Sequence, residues 1–295
     1  MTDPQSCHDC VTRELTIKEK EYAAANLNET DENREKAITH IRHWIQENDD
    51  LCARTDDFFI LRFLRVCKFD IEKTKTRIRN YYKLRFDLPE WFANKDPFRP
   101  ELQDLLDTGL ILPLRKLDDQ KRSVLFARVG RQNPSTQKFT DLCKVGHLVM
   151  EVLTRNHVEA SIYGCVVYAD FDLVHMGHVT QMRPYILRNA IHSLQDCFPL
   201  QIQSLNFINT PECVNVVLKF LKYCMNESLK QRVQIYTKKM MHNCFNDIPA
   251  DILPVEYGGT DGTIVELKEY WKKVLEENRD WIIDDEKYKL VSKKK

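Results

Sequence analysis

Two clusters in the chain have the residue types of metal chemistry. Cys7 and Cys10, with His8 between them, stand at the spacing of zinc ligands, while DFDLVHMGH offers Asp170, Asp172, His175 and His178, the set of a two-histidine, one-carboxylate iron site. A zinc site needs a second Cys or His pair at a matching distance, and none follows Cys10. The second cluster falls where a strand hands over to a loop, a place that collects solvated polar residues by default. The glycines of EYGGTDG do not form a dinucleotide fingerprint, and neither GxxxxGK nor GxSxG occurs. No constellation demands catalysis. The expectation is a protein that is not an enzyme and holds no metal or cofactor.

The 295 residues suffice for one large domain, or a main domain with a smaller one. Lys+Arg and Asp+Glu stand at 44 each, so net charge does not draw the molecule to polyanions, and no nucleic-acid partner is expected. The opening MTDPQSCHDC is too polar for a signal peptide, and no apolar run approaches the roughly 18 residues of a membrane span. Ten irregularly spaced cysteines then read as reduced thiols, and the expected setting is cytoplasmic, the protein a monomer. Charge is uneven along the chain. From Arg62 to Arg85 nine basic residues face only Asp70 and Glu72, and the acidic counterweight sits largely in the last thirty residues. Such a run is either a set of solvated helix faces or a surface for anionic lipid, worth about 1 kcal/mol per basic residue at a bilayer.

The elements that must position these residues fall into two textures. Up to about residue 95 the apolar spacing is helical: Ala37, Ile38, Ile41, Trp44 and Ile45 after Asp31, TDDFFILRFLRVC after Thr55 or Asp56, and Ile71, Thr74, Ile78, Tyr81 and Tyr82 after Asp70. From about 110, LILPL and SVLFARV read as strands joined by DDQKR. A helix over about 136–157, the strand GCVVYADF, a helix over about 179–196, the strand SLNFIN, a helix from 211 and the strand RVQIY follow. Strands separated by helices of ten or more residues imply a largely parallel sheet. The helix from Pro211 is apolar on two sides: Val214, Val217, Leu218, Leu221 and Met225 form one stripe, and Val216, Phe220 and Tyr223 another, nearly opposite. It is either sandwiched in a core or a lid between an apolar pocket and a membrane.

From about residue 55 to 281 the chain resembles the CRAL-TRIO family of lipid-transfer proteins, in its tocopherol-transfer and retinaldehyde-binding branch. The matching stretches are DDFFILRFLRVCKFDIEKT, YADFD, CFPLQIQSLNFINTP, the following KFLK, and DILPVEYGG, in the family's order. The resemblance implies an amino-terminal helical region (residues 1–95), an α/β lipid-binding domain (96–281) with a largely parallel sheet and a hydrophobic cavity closed by a mobile helix, and a tail (282–295). It implies non-enzymatic carriage of a small hydrophobic lipid between membranes, of tocopherol, retinoid or carotenoid type, with transient contact to anionic membrane. The alternative is a phospholipid-sensing regulator acting through a partner protein. Carried over by position, the cavity wall comprises Phe139, Cys143, Cys165, Val167, Ala169, Met176, Met182, Ala190, Phe198, Leu200, Leu205, Val217 and Leu221, and the membrane-facing side of the gate Val216, Phe220 and Tyr223. Two departures stand out. Leu173 occupies a position often held by glycine. Gln201, Gln203 and Ser228 replace three of the four basic residues that hold a phosphoinositide in that branch, and only Arg232 is kept, which implies a weak site at most.

Overall fold

In the computed structural model, which describes residues 14–291, side-chain caps set the starts of the amino-terminal helices; Cys7–Cys10 and the lysines at 293–295 lie outside the described residues. Thr30, rather than Asp31, accepts from the Asn33 N–H and opens the helix Asp31–Gln46. Asp56 opens Asp57–Val66 and Asp70 opens Ile71–Asp87 in the same way. Their apolar faces, among them Ile41, Phe63, Ile78 and Tyr82, are fully buried in one core. A further helix, Ile17–Leu27, has no strong periodic signal in the sequence. It packs Ala23 and Leu27 against Val158 and Ile162.

Strands are β1 (Leu51–Cys52), β2 (Ile111–Pro113), β3 (Ser123–Arg128), β4 (Cys165–Asp170), β5 (Ile202–Ile208), β6 (Val233–Ile235) and β7 (Lys289–Leu290). β2 to β6 form one sheet in sequence order, with β2 antiparallel to β3 and every later pair parallel. The hairpin and the parallel crossovers are those the sequence predicts. The predicted helix over 179–196 is divided into Met176–Gln181, Pro184–His192 and a π-type turn, Ser193–Cys197. Pro184 opens the second piece, since it has no N–H to continue the first. Right-handed crossovers in a sheet that always advances the same way put each connecting helix on one face.

The basic run at 62–85 is neither a solvated face nor a membrane patch throughout. Arg62, Arg65 and Arg85 are buried. Arg65 makes a two-pronged pair with Glu29 at 2.7 and 3.0 Å and donates to Ser161 Oγ. Arg85 and Lys95 reach Asp285 at 2.7 and 3.0 Å, Arg54 reaches it at 2.7 Å, and Lys95 also holds Glu151 at 2.9 Å. The distant acidic residues are therefore in part the internal partners of the basic run. Residues 282–291 do not form a tail either. Ile282 and Asp285 are buried, and β7 pairs with β1.

Burial alone would raise the Asp285 carboxyl, but Lys95, Arg85 and Arg54 hold it well below the usual carboxylate range. Its stabilising charge is present above the ordinary carboxylate value and is lost as pH falls toward the depressed one. Asp285→Asn strands three buried cations around one neutral amide. It should cost about 3–5 kcal/mol in equilibrium urea unfolding near neutral pH, the range for removing one partner of a buried pair. A loss of under about 1 kcal/mol would mean that the network is solvated and inessential.

Candidate ligand site

The register of the sheet sorts its side chains. Paired residues in neighbouring strands point the same way, so one face carries Cys165 beside Ile202, the row Leu125, Val167, Leu205 and Val233, and the row Ala127, Ala169, Phe207 and Ile235. The opposite face carries Phe126 and Tyr168, which stack on each other at 5.3 Å; Phe126 also stacks on Tyr257 at 4.2 Å. The Tyr168 hydroxyl donates to the Cys244 carbonyl. Short turns cover that side. The crossover helices are left to cover the face of Val167 and Ala169.

One irregularity makes this face continuous. Cys165 pairs with Ile202 but Val166 pairs with Ser204, so Gln203 is an extra residue in β5. The bulge resets the alternation and keeps Ile202 and Leu205 on one side although they are three apart. Gly164, at φ +80, makes the entry to β4 possible: a Cβ there would stand 2.5 Å from the Gln201 carbonyl oxygen. That oxygen accepts from the Cys165 N–H.

Most of the predicted wall positions are buried in the one apolar cluster: Phe139, Cys143, Cys165, Val167, Ala169, Met182, Leu200, Leu205, Val217 and Leu221, with Ala190 half-buried against it. Phe198 is buried but turns its ring toward Tyr81 and His147, at centroid distances of 6.1 Å each. It joins the helical region to the sheet domain. Met176 is a correction. It is 59% exposed at the start of its short helix, because the break before Pro184 ends the helical pattern and turns this end outward. Leu125, Ala127 and Phe207 share the face and were not predicted; their register with Val167 and Ala169 is the signal that identifies them.

The helix that the resemblance marks as a gate runs Asn215–Cys224 after a 3-10 turn, Glu212–Val214. Val217, Leu218 and Leu221 are buried, whereas Val216 is 66% and Tyr223 82% exposed. Phe220 is only half-buried and packs against the core, so the outward side is narrower than the sequence suggests. Leu173 is exposed at φ +66, a left-handed conformation that favours glycine.

The iron-like cluster is not assembled. His178 Nε2 meets the Gln132 carbonyl at 2.9 Å and Nδ1 accepts from the His175 N–H, while Asp170 takes Tyr257, Asn209 and the Asp172 N–H. Among the described residues no group of three or more His, Cys, Asp or Glu side chains could hold a metal ion. A polar cleft of about 800 Å³ opens between the helical region and the start of β5. Lys68, Lys73, Arg77 and Arg232 line it, against Asp70, Glu72 and Asp196, together with Gln201 and Ser228. Gln203 turns aside and donates to the Tyr163 carbonyl. Arg232 donates to the Ile202 carbonyl at 2.6 Å.

A crossover-covered sheet with a helical region ahead of it and a two-sided helix at its edge defines a class. The model of the CRAL/TRIO domain matches residues 107–259, and that of the Pinta-like UBA domain matches 30–102. The chain belongs to the CRAL/TRIO family. Its relatives include the alpha-tocopherol transfer protein-like protein of Mus musculus, 30% identical over 274 residues that cover 92% of this chain and 77% of that one. Clavesin-1 of Xenopus laevis is 28% identical over 241 residues, covering 81% and 72% of the two chains. The crystal structure of Sfh5 shares the fold at a TM-score of 0.54 and 17% identity, over 93% of this chain and all of that one.

Ala127 and Ala169, side by side in the sheet, leave the face shallow opposite Phe207. Ala169→Phe should abolish loading of an apolar ligand with the fold retained, read by lipid extraction and thermal unfolding. If this face is packed solid, the same change instead lowers stability by about 1–3 kcal/mol.

Proposed function

We propose that the protein binds a small hydrophobic lipid on the Val167–Ala169–Leu205 face and transfers it between membranes without chemical conversion. The observation that carries this reading is the gate helix. It lays Val217, Leu218 and Leu221 inward and leaves Val216 and Tyr223 in water. A door that opens at a bilayer would bury this outer pair in the apolar phase. A lipid that hides roughly 400 Å² of apolar surface gains on the order of 10 kcal/mol at about 25 cal/mol per Å². Spontaneous escape into water is then slow. Contact of the outer side with a membrane supplies another apolar phase, and the ligand gives up little on leaving.

The names of the alpha-tocopherol transfer protein-like relatives favour a chromanol or an isoprenoid of similar size. The polar cleft favours a second reading, a phospholipid-sensing regulator whose ligand keeps its headgroup there and its acyl chains on the apolar face. With four cations against three carboxylates, and Arg232 already bonded to backbone, the cleft is a weak site for a multiply charged phosphoinositide. Lys219 and Lys222 on the gate helix are exposed and would steer its outer side to anionic lipid. No helix among the described residues is long and apolar enough to cross a membrane, so such contact is peripheral.

Native mass spectrometry with lipid extraction separates the two readings. A neutral isoprenoid-like molecule supports the carrier, a phospholipid the regulator, and no lipid at all removes both. The paired change Val216→Asp and Tyr223→Asp, at exposed positions, should leave ligand content and stability unchanged while slowing transfer between vesicles by about tenfold, the effect of 1.4 kcal/mol lost at the membrane step. Lost ligand with normal vesicle contact would reverse the assignment of the two sides.

A further inference from the structure

The loop after β4 ends in two histidines whose rings meet at 76°, with centroids 4.4 Å apart. His178 is buried, and geometry fixes its protonation. The Gln132 carbonyl can only accept, so Nε2 carries the hydrogen; the His175 backbone N–H can only donate, so Nδ1 is bare. The ring is neutral. A second proton on Nδ1 would face an N–H donor and delete that bond.

His178 is one end of a chain of neutral hydrogen bonds. Gln132 Nε2 donates to Gln181 Oε1 at 3.0 Å and to the Gln137 carbonyl at 2.9 Å. Gln181 Oε1 also accepts from the Phe139 N–H at 2.8 Å, and Gln181 Nε2 donates to the Pro134 carbonyl at 2.7 Å. These bonds stitch the helix Met176–Gln181 to segment 132–139 and to the start of the helix Phe139–Asn156. Gln132 Oε1 is buried without a partner, so the cluster has a spare acceptor and no spare donor. Phe139 and Met182, two of the wall positions, stand at the two ends of the stitch. The first turn of the gate, Glu212–Val214, packs on the same short helix.

Burial pushes His178 below the ordinary histidine range, and positive charge at His175 pushes the same way, against the pull of the bonds to Gln132 and the His175 backbone. Charged groups on the surrounding elements are Arg131 beside Gln132, Lys138 and Asp141 at the start of the helix Phe139–Asn156, Asp170 at the end of β4, Asp172 in the loop, Arg183 after the short helix and Glu212 on the gate turn. Asp141 accepts from the Lys138 N–H, and Asp170 is bonded to Tyr257 and Asn209. Asp172 is paired with Lys238 at 3.0 Å and lies 3.9 Å from Arg131, and Glu212 is exposed. None of these carboxylates is a free buried counter-charge for an imidazolium. For a base depressed in the fold, the stability it contributes is complete above the unfolded value of about 6.5 and is lost as pH falls.

We propose that His178 is a proton-operated clasp: its protonation frees loop 171–182 from segment 132–139 and loosens the apolar face beside the gate. A carrier that meets an acidified compartment, or the proton-rich surface of an anionic membrane, is thereby loosened where it must unload. The role in unloading rests on the lipid-carrier reading; the proton-coupled loosening does not.

Amide exchange of the full chain, corrected for the intrinsic pH dependence of exchange, tests the clasp directly. Between about pH 7.5 and 5, protection in 132–139 and 171–182 should fall about tenfold while β4 and β5 keep theirs. Buried His147 and half-buried His157 are also pushed down by burial, so general acid weakening is read from those strands. His178→Gln keeps both a donor toward Gln132 and an acceptor toward His175, and should hold protection constant across the range. Loaded with a fluorescent tocopherol and mixed with neutral phosphatidylcholine vesicles, the wild type should release several-fold faster at the lower pH and the variant should not. Failure to load the probe at neutral pH counts against the carrier reading and leaves the exchange result to decide the clasp. Unchanged protection in the wild type, or equal loss in the variant, overturns it. If His178→Gln does not fold, the NMR titration of His178 in the wild type decides: a midpoint matching the loss of protection supports the clasp, and one more than about one pH unit away overturns it.

Discussion

The fold depends first on handedness. A parallel sheet whose strands advance in one direction, joined by right-handed crossovers, must stack its connecting helices on one side. That side holds Val167, Ala169 and Leu205, and the other is left to the turns that carry Cys244 and Tyr257. An open doubly wound sheet divides its helices between two faces and binds ligands at strand ends. Here the helices are concentrated, and an extended apolar face lies between them and the sheet. The helix Asn215–Cys224 lies in the last crossover before the edge strand β6.

The ionic network does the opposite work at the other end. Asp285 gathers Arg54, Arg85 and Lys95 from three stretches of the amino-terminal region, and Lys95 passes the contact on to Glu151 in the sheet domain. Arg65 ties Glu29 to Ser161 in the same manner. Charged groups so buried are costly to separate, so these pairs tie the helical region to the sheet domain. The helix Asn215–Cys224 and the loop after β4 lie outside the network.

Much of this was legible in the sequence. The β2–β3 hairpin, the parallel crossovers and the two apolar sides of the helix from Pro211 follow from spacing alone, since periods of 2.0 and 3.6 are local properties, whereas a gate role comes only from the resemblance. What spacing does not carry is pairing. The basic run from Arg62 to Arg85 reads as a surface because the partners of its buried members, Glu29 for Arg65 and Asp285 for Arg85, are distant in the chain. The boundary drawn at residue 95 falls on Lys95, a residue that joins the two regions. Met176 looks like wall on a continuous helix and is exposed on a broken one. Leu173, a departure from the family's frequent glycine, stands where the backbone turns left-handed, which a leucine gives no local sign of.

The bulge in β5 also limits how this surface can change. In a regular strand Gln201 and Gln203 would project to the same side, and two substitutions would add two charges to one cleft. With the extra residue inserted, Gln201 lines the cleft while Gln203 is drawn away to the Tyr163 carbonyl. A lineage acquiring cations at both positions would place one toward the cleft and the other beside the Tyr163 carbonyl, a bond that a Lys or Arg can also donate. Deleting Gln203, the extra residue, would restore regular alternation and leave Leu205 and Phe207 on the face of Val167 and Ala169, at the loss of the position itself. The bulge thus leaves only one of the two positions facing the cleft, while the apolar face is set by the pairs on either side of it.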